Sequence, residues 1–393
     1  MSRSLIFGLL TIVAIGLFAD VTLYTPIDMG PFVRIGMQIR DIKSDGKTAL
    51  ESEYPPLASS LFYVFEENPL HISFNEAWKM LLLTTLAGVC LFSFFFLSPL
   101  DAFLLPCALL VGFIVLGSDV MIARYDVLLT LLLFLSWKCA TKQQWNVSGL
   151  SVGLAASLKI VPVLILPFFL LVCTKGKRRH LLLGVCSGIL LGLAIPIVIM
   201  GLPVTTENVI YLLTYHEVRG IQVESSWAGL LLLSSAIFGN IITIDSHQGA
   251  FEIMEHSTLA LGASVLTLAG LAFLFWSILK RKSVSSTGFF FLPLLWALFT
   301  TPVLSPQYFV WVLPLLLIHA TTGIVHDWRK PLPWLLLGLT LATGVLTHLV
   351  FPVMYYELVH LSLWPAVVLN LRNLGVVGLI GVLWFERGLR VYE

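Results

Sequence analysis

Charge is scarce in this chain of 393 residues: Asp, Glu, Lys and Arg together make up 11% of it, against 58% hydrophobic residues. A soluble globular chain carries roughly a quarter charged residues, so that class is excluded. The net charge is only +1, and no basic arm is present, which excludes a nucleic-acid partner held through its phosphates. No CxxC spacing occurs among the five cysteines, Cys90, Cys107, Cys139, Cys173 and Cys186, and no histidine cluster accompanies them. They read as small apolar residues, neither disulfide-forming nor metal-binding. No glycine-rich strand-turn-helix pattern occurs outside the apolar runs, so no soluble nucleotide-binding region is expected. Internal repeats and low-complexity linkers are also missing.

What fills the chain instead is long apolar runs. A membrane helix needs about 20 such residues, and the pattern predicts an all-α bundle of about twelve spans in one domain, residues 1–393. The expected spans are 4–19, 75–97, 99–117, 121–137, 144–158, 160–174, 181–201, 257–279, 287–304, 308–325, 332–350 and 365–385. The first could be a signal peptide, but Leu17 stands where a small residue is needed for cleavage after Ala19, so it is read as retained.

Basic clusters mark the cytoplasmic side. Lys138 with Lys142, the run Lys175 to Arg179, the triplet Lys280 to Lys282, and Arg329 with Lys330 all fall on one face if the twelve spans alternate. Both termini are then cytoplasmic. Of the 22 acids, only Asp101, Asp327, Glu386 and Glu393 share that face. The rest crowd the outer side, which points to external chemistry; solvated loops are the plainer explanation. The sequon Asn146-Val147-Ser148 lies in the cytoplasm on this scheme and is read as unused.

Three outer segments are long: 20–74, 202–256 and 351–364. In the first, Phe32, Ile35, Ile39 and Ile42 share one helical face opposite Arg34, Arg40 and Lys43, predicting an interfacial helix on the membrane surface. In the second, the apolar stretch Trp227 to Phe238 is too short to cross and is also expected at the interface.

Candidate chemistry lies along these outer segments. Asp20 follows the first span, with Tyr24 and Asp28 close behind in FADVTLYTPID. A half-desolvated carboxylate there would be a strengthened base, or an ordinary helix-end acid. The paired prolines of Glu53-Tyr54-Pro55-Pro56 forbid helix through that point and aim Glu53 and Tyr54 rigidly. Arg124-Tyr125-Asp126 suggests an ion pair inside the membrane boundary, functional or structural. Lys159, alone between two apolar runs, could snorkel or hold a phosphate. The polar stretch His216 to Ser225 offers Arg219 for phosphate and Gln222, Glu224 and neighbouring aromatics for a sugar. Gln307 and Tyr308 follow the break at Ser305-Pro306. His348, Tyr355, Tyr356, Glu357 and His360 are further outer polar residues, and Arg372, inside the last span, needs a carboxylate or a phosphate.

In this order, an Asp beyond the first span, EYPPL, ARYD, SLKIVP, RGIQVES and SPQYFVWVLP resemble glycosyltransferase family 87, a group of the GT-C superfamily, over roughly residues 15–320. The resemblance implies a membrane transferase of GT-C type. It would take a hexose, commonly mannose, from a polyprenyl-phosphate donor at the extracytoplasmic face, with inversion. It makes Asp20 the base, sets the Glu53-Tyr54 turn beside the donor sugar, and makes Lys159 and Arg219 candidates for the donor phosphate. The remaining donor- or acceptor-binding candidates are Tyr24, Asp28, Arg124, Asp126, His216, Gln222, Glu224, Gln307, Tyr308 and His348. The expected partners are the lipid-phosphate sugar, a glycolipid or glycan acceptor, and membrane lipids. The sequence departs from an Asp-x-Asp metal motif, since DIKSD sets Asp41 and Asp45 four apart, so no metal or other cofactor is expected. A transporter or flippase of a lipid-linked sugar is the rival class. It would favour ionisable residues at the bilayer midplane and repeated halves with broken helices, neither of which the sequence offers. A non-catalytic assembly factor leaves the polarity of RGIQVES without a purpose.

Overall fold

The computed structural model describes residues 29–45, 50, 52–68, 71–96, 98–122, 124–217, 219–239, 241–247, 250–253, 257–280 and 288–386, with Gly16. Asp20, Tyr24 and Asp28 lie outside them. Among the described residues, six helices are long and apolar enough to cross a membrane: Pro99–Leu116, Lys175–Met200, Thr258–Lys280, Pro306–His326, Pro331–Val353 and Leu363–Phe385. The chain is a multi-pass membrane protein. Where the sequence suggests spans over 144–158 and 160–174, the chain forms a helix Trp145–Leu158 of 14 residues, a 3-10 turn Val161–Ile165 and a short helix Leu166–Val172. At 1.5 Å per residue neither helix reaches across about 30 Å of hydrocarbon. Lys159 and Pro162 break what would otherwise be one long rod.

The described residues form two compact units. The first contains 29–91 and 122–217. Its helix Gly30–Asp45 has the apolar face read from the sequence, with Phe32, Ile35, Ile39 and Ile42 all buried. That face covers protein, however, and not lipid: it packs on the helix Pro56–Glu66, and a Cβ on Gly36 would sit 2.8 Å from the Phe62 carbonyl oxygen. The di-proline explains that second helix. Pro55 is extended, while Pro56 occupies the first helical turn, where its missing N–H costs nothing. The ring of Phe32 stacks on Phe62 at 4.5 Å and on Trp78 at 5.9 Å, and the Trp78 indole donates to the Ile122 carbonyl at 2.8 Å. This aromatic cluster holds the turn before Pro55 against the start of the helix Asp126–Thr141.

Behind it, Trp145–Leu158 lies against Arg178–Met200 along reciprocal glycines. A Cβ on Gly149 would meet the Leu181 carbonyl oxygen at 2.2 Å, on Gly153 that of Val185 at 2.3 Å, on Gly184 that of Asn146 at 2.3 Å and on Gly188 that of Leu150 at 2.4 Å. Small residues four apart on both helices let the backbones touch, which replaces a hydrophobic drive that lipid does not supply. Gly153→Leu must push a backbone away and is expected to lower stability by about 3 kcal/mol. Gly88→Leu, which meets nothing within 4 Å, serves as the control. Unfolding titrations of the two variants in mixed micelles measure the difference.

The second unit contains 92–121 and 219–386. The helix Phe309–His326 is its core, packed between Pro99–Leu116 and Pro331–His348. Beside the helix Leu363–Phe385 lies a structure absent from the all-α expectation: an antiparallel sheet with β1 (Ile221–Gln222), β2 (Ile244–His247) and β3 (Ala250–Ile253) in the order β1-β3-β2. Ile221 and Ile244 both pair with Ile253, so one sheet face enters a core with Ala228, Leu232, Val350, Leu358 and Leu369. Ser225 caps the helix Ser226–Phe238 by accepting from the Ala228 N–H at 3.1 Å.

Candidate active site

The polar residues read from the sequence fall, among the described residues, into a cluster in each unit. In the first, the extended residues before Pro55 are tied down from two sides. The Ser52 and Ser59 hydroxyls lie 2.9 Å apart, and Ser59 donates to the Tyr54 carbonyl at 3.2 Å. Asn208, on the helix Leu202–Glu217, donates its amide to the Ser52 and Tyr54 carbonyls at 3.2 and 3.1 Å. The Tyr54 ring is set edge-on to Phe32 at 5.4 Å and to Tyr125 at 5.9 Å. Burial, reinforced by the nearby Glu53 charge, pushes its phenol up and keeps it protonated. Tyr54 is therefore a hydrogen-bond donor rather than a base.

Asp126 and Lys159 meet across 33 residues of chain at 2.6 Å. The sequence suggests a pair between Arg124 and Asp126; in the structure Asp126 takes Lys159. The reason is geometric: Asp126 begins a helix and turns inward, and Lys159 leaves the end of Trp145–Leu158 in extended backbone, where its amine reaches that carboxylate. The Lys159 amine also sits 5.2 Å over the Tyr125 ring, whose hydroxyl donates to the Leu158 carbonyl at 3.2 Å. Burial pulls the Lys159 amine down from its ordinary range, against the Asp126 charge that pulls it up. Arg124 lies 5.4 Å over the Phe32 ring, and among the described residues no carboxylate forms an ion pair with it. Glu53, Tyr54, Arg124, Asp126 and Lys159 thus belong to one cluster, held by the aromatic core beneath. His216 stands on the helix Leu202–Glu217, and its side chain lies outside the described ones.

The second unit holds Arg219, Gln222, Glu224, Gln307, Tyr308 and His348. The fork of Arg219, read from the sequence as a phosphate clamp, is engaged by Glu252: Nε and Nη2 each reach Glu252 Oε1 at 2.7 Å, and the Gly220 N–H donates to Oε2 at 2.8 Å. Gln222 is paired opposite Glu252 in the sheet. Its N–H donates to the Pro302 carbonyl at 3.0 Å. Among the described residues no carboxylate oxygen forms an ion pair with Arg372. Its Nη2 donates to the backbone carbonyl of Glu224, with the Glu224 carboxyl close enough to act on it electrostatically. That carboxyl is 3% exposed. Burial pushes it up to about 7, against hydrogen bonds that include one from the Tyr355 hydroxyl and against the Arg372 charge. Tyr308 stacks on Trp311 at 4.5 Å beside Gln307 in the turn Pro306–Tyr308. His348 Nδ1 sits 3.1 Å from the Leu116 carbonyl and presses on Gly117, where a Cβ would lie 2.6 Å from the ring. His348 is thus engaged in packing two helices.

Glu224 carries a pH dependence. Its folded-state value lies above its ordinary 4.5, so between about 4.5 and 7 the unfolded chain loses a proton that the fold retains. Stability falls with rising pH through that window and levels off above it. The melting temperature of the detergent-solubilised protein should fall across that range, and Glu224→Gln should flatten the contribution.

Asn208 and Glu252 are structural members that the sequence does not single out, and Tyr355 is named there only as an outer polar residue. Asn208 and Glu252 stand in no motif, and Ala250–Ile253 is too short a strand to show a period.

A search of curated proteins finds no match. The model for glycosyltransferase family 87 matches residues 53–306, from the Glu53-Tyr54 turn to Pro306, over half of the chain, taking in the first cluster and Arg219, Gln222, Glu224 and Glu252 of the second. The chain, a multi-pass helical protein, belongs to glycosyltransferase family 87.

Proposed function

We propose that this protein transfers a hexose, with mannose the first candidate, from a polyprenyl-phosphate sugar to a glycolipid or glycan acceptor, inverting the anomeric centre at the extracytoplasmic face. Family membership and the cluster around Tyr54 carry the reading. One inverting displacement needs a base for the acceptor hydroxyl and cations for the departing phosphate. Asp20 is the base in this reading. Arg124 receives the phosphate, supported by Lys159, because Arg124 forms no ion pair among the described residues while the fork of Arg219 is taken by Glu252. Tyr54, kept protonated by burial, donates a hydrogen bond to donor oxygen. Both termini are cytoplasmic on the distribution of basic residues. A lipid-borne donor enters sideways between helices and calls for no nucleotide pocket.

The test presents membranes carrying the protein with a panel of synthetic polyprenyl-phosphate hexoses and with the matching sugar nucleotides. The expected result is transfer from a lipid-phosphate donor and none from the nucleotides. No transfer from any donor, with lipid-linked sugar changing leaflets, would establish the transporter instead.

A further inference from the structure

A cavity of about 290 Å³ opens on the second unit between the helices Ser226–Phe238, Ser257–Lys280 and Leu363–Phe385. Its mouth is formed by Leu230, Leu266, Leu374 and Val377, which are 61%, 42%, 64% and 43% exposed. Two of the three helices are candidate membrane spans, so the mouth faces hydrocarbon, where exposed leucine is at no disadvantage. The surface behind it is largely apolar and carries no charged side chain, with the polar residues Ser226, Thr300, Asn370 and Asn373 set into it. Some of its groups are satisfied: Asn370 donates to the Gly229 and Ala366 carbonyls at 2.7 and 2.8 Å, and the Trp227 indole donates to the Thr300 carbonyl at 2.7 Å. Others are not. Ser226 Oγ and both Asn373 amide atoms, on side chains 8% and 6% exposed, have no hydrogen-bond partner among the described residues. A buried polar atom left unpaired costs about 1–3 kcal/mol, and three such atoms in one cavity wall call for a partner. Arg372, next to Asn373, turns to the Glu224 carbonyl and does not line the cavity.

We propose that this cavity binds an alkyl-chain amphiphile with an uncharged hydrogen-bonding head, of the monoacylglycerol or fatty-amide class, entering sideways from the bilayer. The chain fills the leucine-lined mouth. A head carbonyl accepts from Asn373 Nδ2, and a head hydroxyl or N–H donates to Asn373 Oδ1 or Ser226 Oγ. A phosphate or carboxylate head is disfavoured, because no cation lines the wall to offset its desolvation. The site is independent of the transferase reading and stands or falls without it.

Trp227 in the wall provides the readout. The full chain in nanodiscs is titrated with three chain-brominated probes, decanoyl monoacylglycerol, decane and decyl phosphate, and the Trp227→Phe protein supplies the blank. Saturable quenching that depends on Trp227 is expected for the monoacylglycerol, with half-saturation roughly tenfold lower than for the other two. Asn373→Leu should raise that half-saturation roughly tenfold and leave decane unchanged. If Asn373→Leu does not fold, Ser226→Ala gives a weaker shift in the same direction. Quenching without saturation, equal affinity for decane, or a preference for the phosphate would overturn the proposal.

Discussion

Asp20→Asn should slow hexose transfer by about 10³-fold, within the range of about 10² to 10⁴ that a positioned general base supplies, and leave the apparent KM for the lipid donor within about twofold. The substitution keeps the shape and one acceptor oxygen of the side chain but cannot take a proton from the acceptor hydroxyl. Asp28→Asn, the nearest alternative in FADVTLYTPID, should cost far less. Initial rates of radiolabelled transfer in membranes, at matched protein levels, distinguish the two. Full activity in the Asp20 variant would move the base to Asp28 or Glu53.

The second large effect concerns stability. Asp126 and Lys159 form an ion pair at 2.6 Å, with side chains 1% and 12% exposed. Two charges taken out of water compensate one another, so removing one leaves the other without its ion-pair partner. Lys159→Met should lower unfolding free energy by about 3–5 kcal/mol, and the double variant Asp126→Asn/Lys159→Met should recover most of that loss. Activity should not recover in the double variant if Lys159 also supports the phosphate site. Thermal unfolding of the three proteins in one detergent gives the coupling directly. An unstable double variant would mean that Asp126 is needed by partners other than Lys159.

How far the sequence discloses this molecule depends on how local each feature is. The face Phe32, Ile35, Ile39, Ile42 is set by helical spacing and emerges as read, whereas what covers it is a tertiary fact: Gly36 admits the backbone of Phe62, so protein covers the face where lipid was expected. The di-proline reads correctly as a barrier to helix through Pro55 but hides the helix that Pro56 begins. The Asp126 to Lys159 pair joins residues 33 apart, which adjacency in ARYD cannot reveal, and Arg124 looked the nearer partner. The sheet is not legible in the sequence because β1 has two residues, too short for a period. Among the spans, hydrophobicity alone does not fix helix length: Trp145–Leu158 has 14 residues, fewer than the roughly 20 that a straight crossing takes. The motifs are legible in the sequence; that their residues divide into a cluster around Tyr54 and another around Glu224 is not.

The central claim is that a lipid phosphate is the leaving group. In oriented proteoliposomes with donor and acceptor in the outer leaflet, polyprenyl monophosphate released and hexose transferred are counted in the same samples. One monophosphate per hexose, with the product inverted at its anomeric carbon, is the predicted result. Hexose transfer without release of polyprenyl monophosphate, or movement of intact donor across the bilayer in place of transfer, would contradict it.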